Sequence, residues 1–130
     1  MPYINLIPLS ELKPHEEVRI LRVLLIIAKM YFSKNFSIPL LVDSRTRTIL
    51  DGHHRFWAAK ILNLKRIPCY CVDYLYDNSI VVHTRRLEIE VNKITVLSTA
   101  LDNKVLPYKT TRHEYAAPAF NPLPLYHLSS

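Results

Sequence analysis

The sequence predicts a single mixed α+β (mixed α/β) domain, a small mixed sheet with about three helices, on three observations. Its 130 residues suffice for one hydrophobic core and are too few for two. Short apolar runs closed by proline or polar turns alternate with longer stretches in which apolar residues recur at helical spacing. Apolar residues make up 49% and charged residues 22% of the chain, the balance of a globular protein rather than of a disordered or collagen-like one.

Residues 3–8 read as a first strand ended by Pro8, and residues 9–14 as a connecting loop. A helix is predicted over residues 15–33, because Glu16 and Glu17 then fall in a first turn, where carboxylates suit the helix dipole. Its middle, residues 23–28, is apolar on every side, which implies deep burial or a face covered by a partner chain, so a homo-oligomer through this helix is expected. Residues 38–43 and 48–50 read as a hairpin around the polar turn 44–47, and residues 56–62 as a second helix. Residues 67–74 and 79–84 are two further strands joined at Asp77-Asn78, and residues 92–102 a third helix. Residues 104–113 read as a basic loop. The domain is thus expected over residues 1–113, followed by a proline-rich tail, 114–130, in which Pro118, Pro122 and Pro124 forbid regular helix.

Glycine is the most informative count. There is one, Gly52, against nine prolines, so neither a Walker loop nor a GxGxxG fingerprint exists here. Seventeen Lys and Arg against eleven Asp and Glu give a net charge of +6 and a pI near 9.4, which favours anionic partners such as nucleotides, phosphorylated metabolites or nucleic acid. Cys69 and Cys71 are one residue apart in an apolar strand, so they share a face and are read as reduced core residues. No signal peptide opens the sequence, and no apolar run reaches the ~20 residues of a membrane span, so a cytoplasmic protein without membrane contact is expected.

The densest polar cluster, Asp51-Gly52-His53-His54-Arg55, lies where a strand hands over to a helix. The first N–H groups of a helix are unpaired and carry the positive end of its dipole, so they receive phosphate. Gly52 lets phosphate oxygens approach the backbone, His53, His54 and Arg55 add donors, and Asp51 suits a Mg2+ that bridges phosphate oxygens. The alternative is a helix cap, Asp51, followed by a solvated first turn. Glu16 or Glu17, beside His15, is either a dipole partner or a general base that takes a proton from an attacking hydroxyl. Lys109-Thr110-Thr111-Arg112-His113 is either a basic surface loop or a binding segment for the carboxylate or phosphate of a small substrate. Arg85 and Arg86, at a strand end, are further phosphate contacts or solvated charges.

The order of these features resembles the ParB/sulfiredoxin superfamily. The resemblance rests on the phrase Ile7-Pro8-Leu9-Ser10-Glu11-Leu12-Lys13-Pro14, the strand Pro39-Leu40-Leu41-Val42-Asp43, and Leu50-Asp51-Gly52-His53-His54-Arg55-Phe56. Within it, the Asp-Gly-x-His-Arg wording, the upstream His15-Glu16 pair and the downstream Lys109-Thr110-Thr111-Arg112-His113 segment are most similar to the free-serine kinases. The resemblance covers residues 3–113. It implies a kinase that uses ATP or ADP, with Mg2+, to convert L-serine to O-phospho-L-serine. It further implies Glu16 as the base, Asp51 as the acid beside phosphates and metal, and Gly52, His53, His54, Arg55 and Arg85 on the nucleotide. Lys109, Thr111 and His113 are then on the amino-acid substrate. Thr84 stands where the family has an aromatic residue before the arginine. Sulfiredoxin chemistry is disfavoured, since histidines separate Gly52 from Arg55 where that chemistry needs a cysteine. The alternatives are a ParB-like module that binds CTP or ATP, or a scaffold without catalysis that is associated with nucleic acid. The absence of a helix-turn-helix after the core argues against specific DNA binding.

Overall fold

The computed structural model describes residues 2–86 and 88–129. In chain order the elements are β1 (Tyr3–Pro8), α1 (Ile20–Ser33), β2 (Asn35–Phe36), β3 (Leu40–Asp43), β4 (Ile49–Asp51), α2 (His53–Ile61), β5 (Arg66–Val72), β6 (Val81–Thr84), α3 (Lys93–Leu101), β7 (Thr111–Glu114) and β8 (Leu123–Pro124), with short 3-10 turns at Leu9–Glu11 and Leu125–His127. The main sheet has the order β1-β5-β3-β4, and two small ribbons pair β2 with β8 and β6 with β7. It is mixed: β1 runs antiparallel and β3 parallel to the central β5. Pro68 lies inside β5 but one residue before the β3 ladder begins at Leu40–Cys69, a place where its missing N–H costs no bond to that neighbour.

Alternation along the strands divides the core in two. Leu40 and Val42 of β3, Ile49 of β4, and Cys69 and Cys71 of β5 join Val23 and Met30 of α1 and Phe56, Ala58 and Ala59 of α2. Leu41 of β3, Leu50 of β4 and Val72 of β5 point the other way, to Tyr74, Ile80, Val96 and Leu97 of α3 and its approach. Both cysteines are free and buried and burial pushes their thiols up, so they are the core residues expected.

Four differences from the sequence expectation have physical reasons. α1 begins at Ile20 rather than His15, because residues 13–17 are held extended by backbone bonds. Lys13 N–H donates to Arg47 O at 2.9 Å, Ile49 N–H to Lys13 O at 2.8 Å, Leu106 N–H to His15 O at 2.6 Å and Glu17 N–H to Leu106 O at 2.8 Å. Residues 111–114 form a strand, β7, because β6 pairs with them and not with β5, in register from Thr84–Thr111 to Val81–Glu114. Lys109, at φ 55°, turns the chain into that strand. Segment 114–129 belongs to the same body: β8 pairs with β2 and Leu128 is completely buried in the first core, a contribution of about 2 kcal/mol. Finally, α1 is not covered on every side. Val23 and Met30 face inward, whereas Leu25 is 65% and Phe32 81% exposed.

The third helix forms where expected. Asn92 is its N-cap, its side chain accepting from Thr95 N–H at 2.9 Å, a cap that contributes about 1 kcal/mol. Among the described residues no helix is long and apolar enough to cross a membrane.

Candidate functional site

A cleft of about 330 Å³ opens at the end of β4, where Asp51, Gly52 and the first turn of α2 form the floor. One wall is Glu16 with Arg22 and Ile26 of α1; the other is Arg85, Tyr108, Lys109, Thr111, Arg112 and His113. The sheet edge thus gathers residues from four separated stretches, including every residue to which the resemblance gives a role, but not the candidates Glu17 and Arg86. Five cationic side chains, Arg22, Arg55, Arg85, Lys109 and Arg112, face two carboxylates, Glu16 and Asp51, so the cleft attracts anions.

The floor follows from Gly52. It caps α2 at φ 105°, a left-handed conformation that favours glycine, and its carbonyl accepts from Phe56 N–H at 2.9 Å. The N–H groups of His53, His54 and Arg55 are in the first turn, where a helix supplies no acceptor. One expectation is corrected here. A Cβ on Gly52 would lie 2.8 Å from Leu40 Cγ and 2.9 Å from Arg55 Nη2, so glycine makes room for the protein's own packing, not for phosphate oxygens.

The two histidines also differ from expectation. His53 Nε2 accepts from His15 N–H at 3.1 Å, and His54 Nε2 accepts from Arg19 N–H at 3.2 Å. Both rings therefore staple α2 to the extended segment before α1. Burial holds His53 far below its usual pKa, and burial with the nearby Arg22 and Lys109 charges lowers His54. Neither ring is a cation near neutral pH; with Nε2 accepting, each ring proton is on Nδ1, and both residues add backbone N–H groups at the start of α2. Arg55 donates through Nη1 to Ile38 O and Pro39 O, both at 2.9 Å, and its Nη2 is 3.8 Å from Asp51 Oδ2. It ties α2 to the start of β3. By contrast Arg86 is engaged by Tyr108 O at 2.6 and 3.1 Å and lies outside the cleft lining, whereas Arg85 lines it.

Glu16 is fixed from across the cleft. Its Oε1 accepts from Thr111 N–H at 2.7 Å and from Thr111 Oγ1–H at 2.8 Å. Burial raises its pKa, opposed by those bonds and by Arg85. Its expected place in a helical first turn is thus corrected. Glu17 is exposed, so the structure separates two residues the sequence left equivalent. His15 is fully buried, with Nδ1 donating to Ile49 O at 2.7 Å; burial lowers it to about 4. His113 is lowered to about 3 by burial and by His15, Lys93 and His83, and its Nε2 accepts from Tyr74 O–H at 2.8 Å.

Asp51 has a half-exposed side chain, with Tyr115 O–H donating to Oδ2 at 3.2 Å. Among the described residues no group of three or more His, Cys, Asp or Glu is placed to hold a metal ion. Asp51, the half-exposed one of the two cleft carboxylates, fits Mg2+, which keeps its waters and binds through one or two carboxylates plus phosphate oxygens. Thr84, in the expected aromatic position, closes its own turn: its Oγ1 donates within the local loop, to Arg86 O or Ile89 O at 2.8 and 3.0 Å. Sequence reasoning missed Arg22, Ile26 and Tyr108. Tyr108 lies under the Arg19 guanidinium at 4.8 Å and edge-on to His54 at 5.7 Å. Its one sequence signal was an aromatic residue next to Lys109 in a basic loop.

No family model matches the chain. It is 39% identical over 65 residues to a ParB-like protein of Sulfolobus acidocaldarius, a match covering 50% of this chain and 32% of that protein. It is 34% identical over 73 residues to an ATP-dependent L-serine kinase of Desulfurococcus mucosus, covering 53% and 29%. The chain spans about a third of the length of these curated relatives. A free serine kinase in complex with AMP superposes with a TM-score of 0.87 over 96% of this chain and 93% of that one at 16% identity; a mutant in complex with ADP gives 0.86 at 16%. The mixed α+β fold expected from the motifs is the fold of the free serine kinase.

Proposed function

We propose that the chain is a nucleotide-dependent small-molecule kinase that moves the terminal phosphoryl group of ATP or ADP to the hydroxyl of free L-serine, giving O-phospho-L-serine. The observation that carries this reading is the meeting, in one cationic cleft, of the Glu16 carboxylate held by Thr111 and the open N-terminus of α2. The serine-kinase relatives and the nucleotide-bound structural neighbours support it.

Nucleotide phosphates are received by the N–H groups of His53, His54 and Arg55 at the positive end of the helix dipole. Arg85, on the cleft wall, neutralises charge on the transferred group, as phosphoryl transfer requires. Mg2+ would be met by Asp51 and would supply charge neutralisation between phosphate oxygens. Glu16 takes the proton of the serine hydroxyl; its raised pKa makes it a stronger base than a solvated carboxylate. Lys109 faces the amino-acid carboxylate, and Thr111 and His113 line the acceptor side. Burial keeps the His113 ring neutral, so it offers a surface to the substrate rather than a charge.

The match to a ParB-like protein, at higher identity, and Thr84 in the acceptor wall favour a second reading, nucleotide binding without transfer. Incubation with Mg2+, ATP, ADP or CTP and a panel of hydroxyl amino acids separates the two. The first reading predicts O-phosphoserine by mass spectrometry, and binding of nucleotide with no phosphorylated product from any acceptor selects the second.

A further inference from the structure

The hydroxyl of Thr111 sits between two acceptors. Oγ1 is 2.8 Å from Glu16 Oε1 and 3.2 Å from His15 Nε2. His15 Nδ1 faces the Ile49 carbonyl at 2.7 Å, and a carbonyl only accepts, so the ring proton is on Nδ1 and Nε2 carries a lone pair. A threonine has one hydroxyl proton. While Glu16 is ionised, that proton goes to the carboxylate and His15 Nε2 is left facing an oxygen lone pair inside the protein, where His15 has no exposure. An unmatched buried acceptor is costly. One added proton on Glu16 repairs the chain: the carboxyl O–H donates to Thr111 Oγ1, and the Thr111 O–H turns to His15 Nε2.

We propose that His15 is the positioning residue of the general base, supplying through Thr111 the acceptor that closes the hydrogen-bond chain once Glu16 has taken up a proton. This rests on the reading of Glu16 as base. The step balances within that reaction. The substrate O–H bond breaks and its proton forms an O–H bond on Glu16. The freed electron pair forms the new bond to phosphorus, and the bond to the nucleotide's bridging oxygen breaks, its electrons leaving with the nucleotide. The Thr111 proton changes acceptor without leaving its oxygen, and His15 gains no charge. Thr111 is thereby assigned to Glu16 with both its N–H and its O–H, rather than to the substrate alone.

The surroundings agree. Among the described residues, the titratable groups facing His15 are His53 of α2, with ring centroids 4.6 Å apart, and His113 of β7, at 6.1 Å, and the charged group facing Glu16 is Arg85. Burial lowers all three imidazoles, so near neutral pH the ring that accepts the Thr111 hydrogen bond is uncharged.

The test is a titration of Glu16 in the whole protein by carbon NMR of labelled glutamate carboxyls, with folding of each variant checked by circular dichroism. His15→Asn keeps a donor for Ile49 O and deletes Nε2; it lowers the Glu16 midpoint by about half a unit or more, since the protonated form loses its closed chain. Thr111→Val removes a donor to the carboxylate and raises the midpoint, and Thr111→Ser restores the wild-type value. An identical Glu16 midpoint in His15→Asn and wild type overturns the proposal. If His15→Asn does not fold, His15→Leu, which also deletes Nε2, decides, and an unmoved Glu16 midpoint there overturns it equally. In turnover, His15→Asn lowers kcat about tenfold with KM for L-serine within about twofold. Wild-type protein that makes no phosphoserine refutes the kinase reading alone, while the titration still decides the coupling.

Discussion

At the scale of single residues, Gly52 shows how a correct location can carry the wrong reason. A residue without a side chain is needed at the strand-helix junction, but its missing Cβ faces Leu40 and Arg55. Gly52→Ala is therefore expected to lower stability by about 1–3 kcal/mol, from a positive φ and two close contacts, read as a fall in Tm that saturating ADP does not abolish. A variant that melts like wild type but binds ADP weakly would restore the phosphate-approach explanation. Glu16 and Glu17 make the complementary point. Their candidacy was legible from residue type and the neighbouring histidine; their separation was not, because it depends on a carboxylate meeting Thr111 from 95 residues away.

At the scale of elements, strands and helices with strong local patterns were readable. The β3–β4 hairpin, the helix after Gly52 and the Asn92-capped helix each follow from alternation, a turn or a cap. The start of α1 and the strand β7 were not, because each is set by a distant partner: Leu106 and Thr48 bridge the segment before α1, and β6 selects β7. The same dependence divides two arginines expected to bind phosphate. Arg55 is engaged by the Ile38 and Pro39 carbonyls, so Arg55→Ala should cost about 1–3 kcal/mol by orphaning them. Among the described residues, Arg85 donates its backbone N–H to Thr110 O and its guanidinium lines the cleft without a hydrogen-bond partner. Arg85→Ala should leave stability within about 0.5 kcal/mol and weaken nucleotide binding about tenfold or more, the value of a charge-assisted bond. Calorimetric titration with ADP and a thermal melt of both variants check the division, and equal loss of binding with no loss of stability in Arg55→Ala contradicts it.

At the scale of the whole molecule, the sheet brings four sequence segments to one edge, buries His15 behind the cleft and half-buries His113 in its wall. Their pKa values fall from 6.5 to about 4 and about 3, so between those limits the unfolded chain binds protons that the folded chain refuses. Their contribution to stability is full above about pH 6.5 and is lost as pH falls toward about 4 and below, amounting to several kcal/mol, roughly. Glu16, raised in the folded state, acts in the opposite sense and offsets part of the loss, since it is only partly buried. Urea midpoints should therefore drop steadily between about pH 6.5 and about pH 4, and midpoints that are flat across that window contradict the buried neutral imidazoles. The claim that unites these scales is that the cleft transfers a phosphoryl group to L-serine with Glu16 as base. The most direct test measures O-phosphoserine by mass spectrometry for wild type and Glu16→Gln in the presence of Mg2+, ATP or ADP, and L-serine. The account predicts product from wild type and none above background from Glu16→Gln, with Tm unchanged because glutamine still accepts from Thr111. Undiminished product from Glu16→Gln would contradict it.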